Sequence, residues 1–331
     1  MTEEIPNRSG DAFTTDDESQ ILNAIDKWLD KEVKDKVLAL DHADEYPIQM
    51  VEQMKSLGLF GATISQKYGG LGMPSASYAK VVTAVSEVWM SLSGIFNSHL
   101  IMAAAVERFG TEDQKQRFLP KFATGEIRGG LALTEPSCGT DLQAIRTKAH
   151  KEGDHYLING SKTWISNGIE GDCVALLVKT DTEIQPRHKG MSLFLAEKGP
   201  GFSAGPKLEK LGYKGIDSAE LFFDNYVIAA DNLIGGEEGH GFHHTVGGLE
   251  LGRINVAASG VGVASAALKA ATSYAQTRET MGKPIGQHQA IQTKLGDMAT
   301  RCHAARLLVQ DAARAYDRGE RCDMEAGMAK L

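Results

Sequence analysis

The spacing of hydrophobic and polar positions changes twice along the chain. From Asp17, the residues Ile21, Leu22, Ile25, Trp28, Leu29 and Val33 recur three and four apart, which predicts an amphipathic helix. A second helix is expected over 48–57, stopping at Gly58, and Gly69-Gly70-Leu71-Gly72 with Pro74 reads as a loop. Ser75 to about Val106 is apolar and small-residue rich, predicting one or two buried helices; Gly110 ends them and Thr111 is placed to cap the next. After Gly125 the runs at 155–158, 173–178, 191–196 and 219–223 are short, β-rich and bounded by turn residues. Gly235–Gly241 reads as a hinge back to helix, and 243–276 as a tightly packed helix. Beyond a connection at 278–286, Ile291, Leu295, Met298, Cys302, Ala305, Leu308, Ala312 and Ala315 mark one face of a long helix. Helix, sheet and helix in succession predict an α+β fold. Its expected parts are a mobile acidic terminus over 1–18, an all-α domain over 19–125, a largely antiparallel β-domain over 126–236 and an α-helical domain over 237–331.

Composition narrows the function classes. With 331 residues, 42% of them hydrophobic, the chain can form two or three domains with sizeable cores. A net charge of −8 and no basic block argue against a nucleic-acid partner. No run of about 18 apolar residues is evident, so no membrane span is expected. Cys138, Cys173, Cys302 and Cys322 form no C-x-x-C pair, which suits a reducing compartment. With an acidic N-terminus lacking the features of a signal, this points to a bacterial-type cytoplasm, with a mitochondrial matrix as the alternative. His240, His243 and His244 beside Glu237 and Glu238 match no recognised ligand pattern, and no metal is expected.

The chemistry is concentrated in Leu131-Ala-Leu-Thr-Glu-Pro-Ser-Cys-Gly-Thr-Asp141 and Lys162-Thr-Trp-Ile-Ser-Asn-Gly168. Pro136 interrupts regular structure, Gly139 lets backbone N–H groups approach a ligand, Thr134 and Ser166 offer hydroxyls, and Trp164 offers a flat apolar ring. A tricyclic ring with apolar faces and polar edges would be served by such a pair of walls. Thr134, Ser166, Trp164 or Arg278 taken singly would read as a surface hydroxyl, a core indole or a solvated charge. The ordered set is different. Thr134-Glu-Pro-x-x-Gly-Thr-Asp141 and Asn159-Gly-x-Lys-x-Trp-Ile-Ser-Asn167 closely resemble the acyl-CoA dehydrogenase family, in its short-chain-type arrangement. The resemblance continues through Phe222-Phe-Asp-Asn225, Asn232-Leu-Ile-Gly235, Gly239-x-Gly-Phe242 and Arg278-x-Thr-Met-Gly-Lys283.

That resemblance implies a helical domain, a β-domain and a helical bundle, with FAD as cofactor. The implied reaction is α,β-dehydrogenation of an acyl-CoA thioester to a trans-2-enoyl-CoA, in which a base removes the α-proton and the flavin accepts hydride from the β-carbon. Electrons would pass to an electron-transfer flavoprotein, and the assembly would be a homodimer or homotetramer. Leu131, Leu133, Thr134, Gly139, Thr140, Trp164, Ile165 and Ser166 match cofactor positions. Arg278, Met281 and Gln289 match positions reaching the cofactor from a neighbouring subunit, where Met281 replaces a common phenylalanine. Thr140, Glu250 and Arg253 match positions near the CoA-bearing substrate. The catalytic base is expected as a glutamate beyond Leu331, since no Tyr-Glu-Gly-Thr stretch is present and Gly252 stands before Arg253; Glu250 is the candidate within the chain. The stretch Met324–Leu331 resembles the middle of a family helix, so the C-terminal bundle is expected to be truncated. Two rival readings are an acyl-CoA oxidase or flavin monooxygenase of the same fold, and a non-catalytic flavin or acyl-CoA binder or assembly protein.

Overall fold

The computed structural model describes residues 13–331. Of the terminus expected to be mobile, residues 1–12 lie outside the described residues, and Thr15–Glu18 already belong to the first helix. That helix, α1 (Thr15–Trp28), begins where Thr14 and Asp17 cap each other's backbone, satisfying N–H groups that a helix start leaves free. It is followed by α2 (Val37–Ala43), α3 (Ile48–Ser56), α4 (Ser75–Phe109) and α5 (Glu112–Thr124). Gly58, at φ 71°, turns the chain after α3, and Thr111 with Gln114 forms the capping box of α5. Trp89 breaks the helical backbone of α4 at φ −154° and ψ 105°, so the one or two buried helices expected there are two helical stretches joined at a kink.

The strands follow as β1 (Gly129–Ala132), β2 (Lys148–Glu152), β3 (His155–Ser166), β4 (Cys173–Lys179), β5 (Met191–Glu197), β6 (Phe202–Lys207) and β7 (Ser218–Ala229). They form one sheet in the order β1-β4-β2-β3-β7-β6, with β5 on β4. The β2–β3, β3–β7, β4–β5 and β6–β7 pairs are antiparallel, while β1 and β2 meet β4 in parallel. Strands β4 and β5 are buried along almost their whole length, as their unbroken apolar runs require. The core of this domain joins Ala132, Ile158, Ile165, Val174, Leu176, Phe194, Leu221 and Phe223, with Tyr156 edge-on to Phe194 at 4.9 Å.

The chain then enters α6 (Gly241–Thr277), a hairpin of β8 (Glu279–Thr280) and β9 (Lys283–Pro284), α7 (Gln289–Asp317) and α8 (Asp323–Lys330). Cys322 and Ala326 are buried where α8 follows α7. Compactness divides the chain into two units, with the division inside α4 and inside α6. One comprises the described part of Met1–Val37, with Pro74–Ser93 and Arg253–Leu331; the other comprises Leu38–Met73 and Gly94–Gly252. In the first, Asp317 accepts the N–H groups of Ser75 and Ala76 at 2.6 and 2.9 Å, and Glu18 meets Lys80 at 2.6 Å. By length and composition both α4 and α6 could cross a bilayer, contrary to the expectation that no stretch qualifies. The apolar window of α4 is 78% buried in the protein, as in a core helix.

Candidate active site

The two motif stretches meet in the second unit, and the backbone explains how. Strand β1 pairs with β4 on one side only, so the chain leaving it through Leu133 and Thr134 follows a sheet edge. The carbonyl of Thr134 accepts the N–H of Thr163 at 2.9 Å, which ties this edge to β3. The β3–β7 register shifts between Lys162 and Ile165: Lys162 faces Leu221, whereas Ile165 faces Ala219. One extra residue on β3 is a bulge, and a bulge re-aims side chains. Lys162, Thr163 and Ile165 are therefore buried while Trp164, at φ 60°, turns outward and is 58% exposed.

Two residues before the indole, Lys162 enters a charge pair that sequence reading quoted but gave no role. Lys162 Nζ, fully buried, donates to Glu135 Oε1 at 2.8 Å and to the Leu133 carbonyl at 3.0 Å. Glu135 also accepts the backbone N–H groups of Arg146 at 2.6 Å and Thr147 at 3.0 Å. Burial pulls Lys162 below the usual ammonium range, an effect Glu135 only partly offsets. Burial acts to raise Glu135, but the charge and hydrogen bonds it receives from Lys162 and Thr147 win, and its carboxyl lies below the ordinary value. The pair joins both walls: Lys162 belongs to one and Glu135 to the other. At the far end, Asn167 donates to the carbonyls of Ile95 at 2.9 Å and Gly129 at 2.8 Å, fixing α4 and β1 to the same corner.

The remaining candidates fall as follows. Leu131, Leu133, Thr134 and Ser166 are partly exposed, Gly139 and Thr140 are exposed, and Ile165 is buried in the β-core. Glu250 lies in the same unit, 3.6 Å from Arg108 Nη1, and neither Glu250 Oε2 nor Arg108 Nη1 has a hydrogen-bond partner. The other base considered, beyond Leu331, lies outside the chain. Arg253, Arg278, Met281 and Gln289 belong to the first unit. Arg278 opens the β8–β9 hairpin, whose tip is Met281 and Gly282 at φ 52° and 75°, and Gln289 is the first residue of α7. All three side chains are exposed, Met281 at 94%. Of the three histidines His244 is the buried one: it stacks on Phe109 at 4.6 Å, and burial, together with the exposed His240 and His243, lowers its pKa to about 4.

The donor set fits the isoalloxazine ring of FAD. An exposed indole presents an apolar face, hydroxyls stand on both walls, and the unpaired side of β1 presents backbone groups to hydrogen-bond a polar edge. A Cβ at Gly139 would touch only Thr134 Cγ2, at 3.7 Å, so that stretch of the loop is open to a ligand.

Comparison with known proteins establishes the family. Family profiles match in chain order: Acyl-CoA dehydrogenase, N-terminal domain over residues 15–126, middle domain over 130–226 and C-terminal domain over 239–331. The Acyl-CoA dehydrogenase of Bacillus subtilis (strain 168) is 39% identical over 318 residues, covering 96% of this chain and 83% of the relative. A chain solved in work on the electron transferring flavoprotein of Acidaminococcus fermentans superposes with a TM-score of 0.92 at 36% identity, covering 96% of this chain and 84% of that one. Butyryl-CoA dehydrogenase from Megasphaera elsdenii gives 0.91 at 34% identity, covering 96% and 84%. The chain belongs to the acyl-CoA dehydrogenase family. It is an FAD-dependent oxidoreductase acting on an acyl-CoA thioester.

The same match corrects one expectation. The C-terminal helical domain is not missing: its profile covers residues 239–331, and α6, α7 and α8 are all formed. The expected truncation of the family's C-terminal bundle rested on one absent tetrapeptide and on the last eight residues. Such a short motif is a poor gauge of a domain whose helices are specified by apolar spacing along their whole length.

Proposed function

We propose that dehydrogenation takes place on the wall formed by Leu133, Thr134, Trp164 and Ser166, with the Lys162–Glu135 pair holding that wall rigid. When bound, FAD supplies the two-electron acceptor. Trp164 covers the ring, Thr134 and Ser166 hydrogen-bond its polar edge, and Thr140 lies where cofactor and the CoA arm meet. Glu250 acts as an outer substrate contact rather than as the base, its carboxylate standing 3.6 Å from the Arg108 guanidinium. Arg278, Met281 and Gln289 reach the cofactor of a neighbouring subunit in a homodimer or homotetramer. Their exposure on a hairpin tip and a helix start supports this role. The acceptor of the electrons is an electron-transfer flavoprotein, and the location is cytoplasmic.

The observation that carries this reading is an exposed indole on one of two hydroxyl-bearing walls that a buried ion pair locks together. The experiment is an anaerobic titration of the flavin-loaded protein with acyl-CoAs of increasing length. Loss of the oxidised-flavin absorbance, with reoxidation by electron-transfer flavoprotein and little by oxygen, is the expected result. Fast reoxidation by oxygen would favour the oxidase reading. Flavin that no acyl-CoA bleaches would overturn the proposal.

A further inference from the structure

The loop between β6 and β7 carries a tyrosine in a conformation that its fold alone does not explain. Tyr213 has φ 61°, a region that bulky side chains avoid, and it stands between Gly212 and Gly215. Its neighbour Leu211 is fully exposed, yet the Tyr213 side chain is turned inward, and burial pushes its phenol well above the ordinary value. The hydroxyl presses against Gly94 of α4 so closely that a Cβ there would overlap it. Lys210 holds the loop in this pose: its Nζ lies 5.6 Å from the Tyr213 ring centre and donates to the Ile216 carbonyl at 2.6 Å and Ser218 Oγ at 3.2 Å.

The position is significant because the loop's end and the helix it packs on are both tied to the flavin wall. Ser218 pairs with Ser166 in the β3–β7 register. Ile95, the residue after Gly94, gives its carbonyl to Asn167, which follows Ser166. The phenol thus packs on α4 one residue before the carbonyl that holds Asn167, the residue after Ser166. A bulky ring is held there at the expense of an unfavourable backbone, on a loop with glycines close on either side.

We propose that Tyr213 is a specificity-determining residue that caps the acyl-binding space and restricts this chain to short acyl groups. The proposal rests on the acyl-CoA reading of the site. Gly94 is the complementary half of the device, since any side chain there would expel the ring.

The test uses Tyr213→Asn and Tyr213→Gly in the flavin-loaded protein. Both residues accept a positive φ, so each removes the ring without straining the loop. The readouts are kcat and KM for butyryl-, hexanoyl- and octanoyl-CoA, with the flavin spectrum as a check on the wall itself. The wild type is expected to prefer butyryl-CoA. In both variants the octanoyl-to-butyryl ratio of kcat/KM should rise at least about tenfold, mainly through a lower KM for the longer chain, given what a few methylenes contribute in an apolar pocket. An unchanged ratio with an unchanged spectrum overturns the proposal, as does a wild type that already prefers octanoyl-CoA. A flavin-loaded wild type that none of the three thioesters bleaches would instead overturn the acyl-CoA reading.

Discussion

Acid should weaken this protein through one histidine at the base of the active-site wall. His99, on α4, is completely buried, with Nε2 3.1 Å from the Phe122 carbonyl and Nδ1 accepting the N–H of Gly129 at 3.3 Å. The neutral ring with its proton on Nε2 satisfies both contacts; a proton on Nδ1 would face the Gly129 N–H, donor against donor. Burial lowers the pKa from 6.5 to about 4. Between those values the unfolded chain binds the proton and the folded chain does not, so stability falls as pH drops through that window and is fully present above it. At 1.36 kcal/mol per unit the whole shift corresponds to about 3 kcal/mol, of which about 2 kcal/mol is lost by about pH 5. The perturbation is His99→Gln, and the assay is urea unfolding of wild type and variant at about pH 7.5 and about pH 5. The variant should be the less stable protein at the higher pH, and the difference should narrow by about 2 kcal/mol at the lower. His244, also lowered to about 4, adds acid sensitivity in the same direction, but it is common to both proteins and cancels. A difference that stays constant across the two pH values would refute the reasoning.

Two other substitutions probe the wall and its substrate side. Lys162→Met strands the buried Glu135 charge and should cost about 3–5 kcal/mol in thermal or urea unfolding, with much of the loss recovered in the Lys162→Met/Glu135→Gln double variant; a single variant within about 1 kcal/mol of wild type would show that the pair is not coupled as its geometry indicates. Glu250→Gln should raise KM severalfold with kcat nearly unchanged if the carboxylate is an outer contact. A kcat loss of about a thousandfold or more would make Glu250 the base instead.

The helices were the most readable part of the chain, and their failures have physical causes. Thr111 was identifiable as the cap of α5 because capping is a local interaction, complete within four residues. Strand β2 was missed because only Ala149 of its five residues is buried, so Lys148-Ala-His-Lys-Glu152 carries almost no apolar signal. Strand β6 was missed because Gly205 and Pro206 read as a turn, although a strand at the edge of the sheet tolerates both. On α7 the expected face holds from Ile291 to Ala315 except at Leu308, which is 40% exposed, whereas Val309 beside it is buried. Spacing fixes a helix more firmly than it fixes which neighbour covers each side.

The active site obeys a different rule. Trp164 and Ser166 are candidates because a family resemblance places them, not because periodicity does. A regular strand puts residues two apart on the same face, so Lys162 and Trp164 would point the same way. The bulge between Lys162 and Ile165 separates them, sending the charge inward and the indole outward. Nothing in the local sequence states that inversion, because a lysine in a strand reads as a solvated group until its partner, Glu135, is brought beside it by the sheet. In an isolated domain the arrangement is the reverse of what the hydrophobic effect favours, since exposing a tryptophan ring and burying an ammonium both oppose stability. The three-bond acceptance by Glu135 answers the second cost within the protein. The first is answered only when a flat apolar ligand covers the indole, which is why the position of Trp164 is itself an argument for a flavin on this wall.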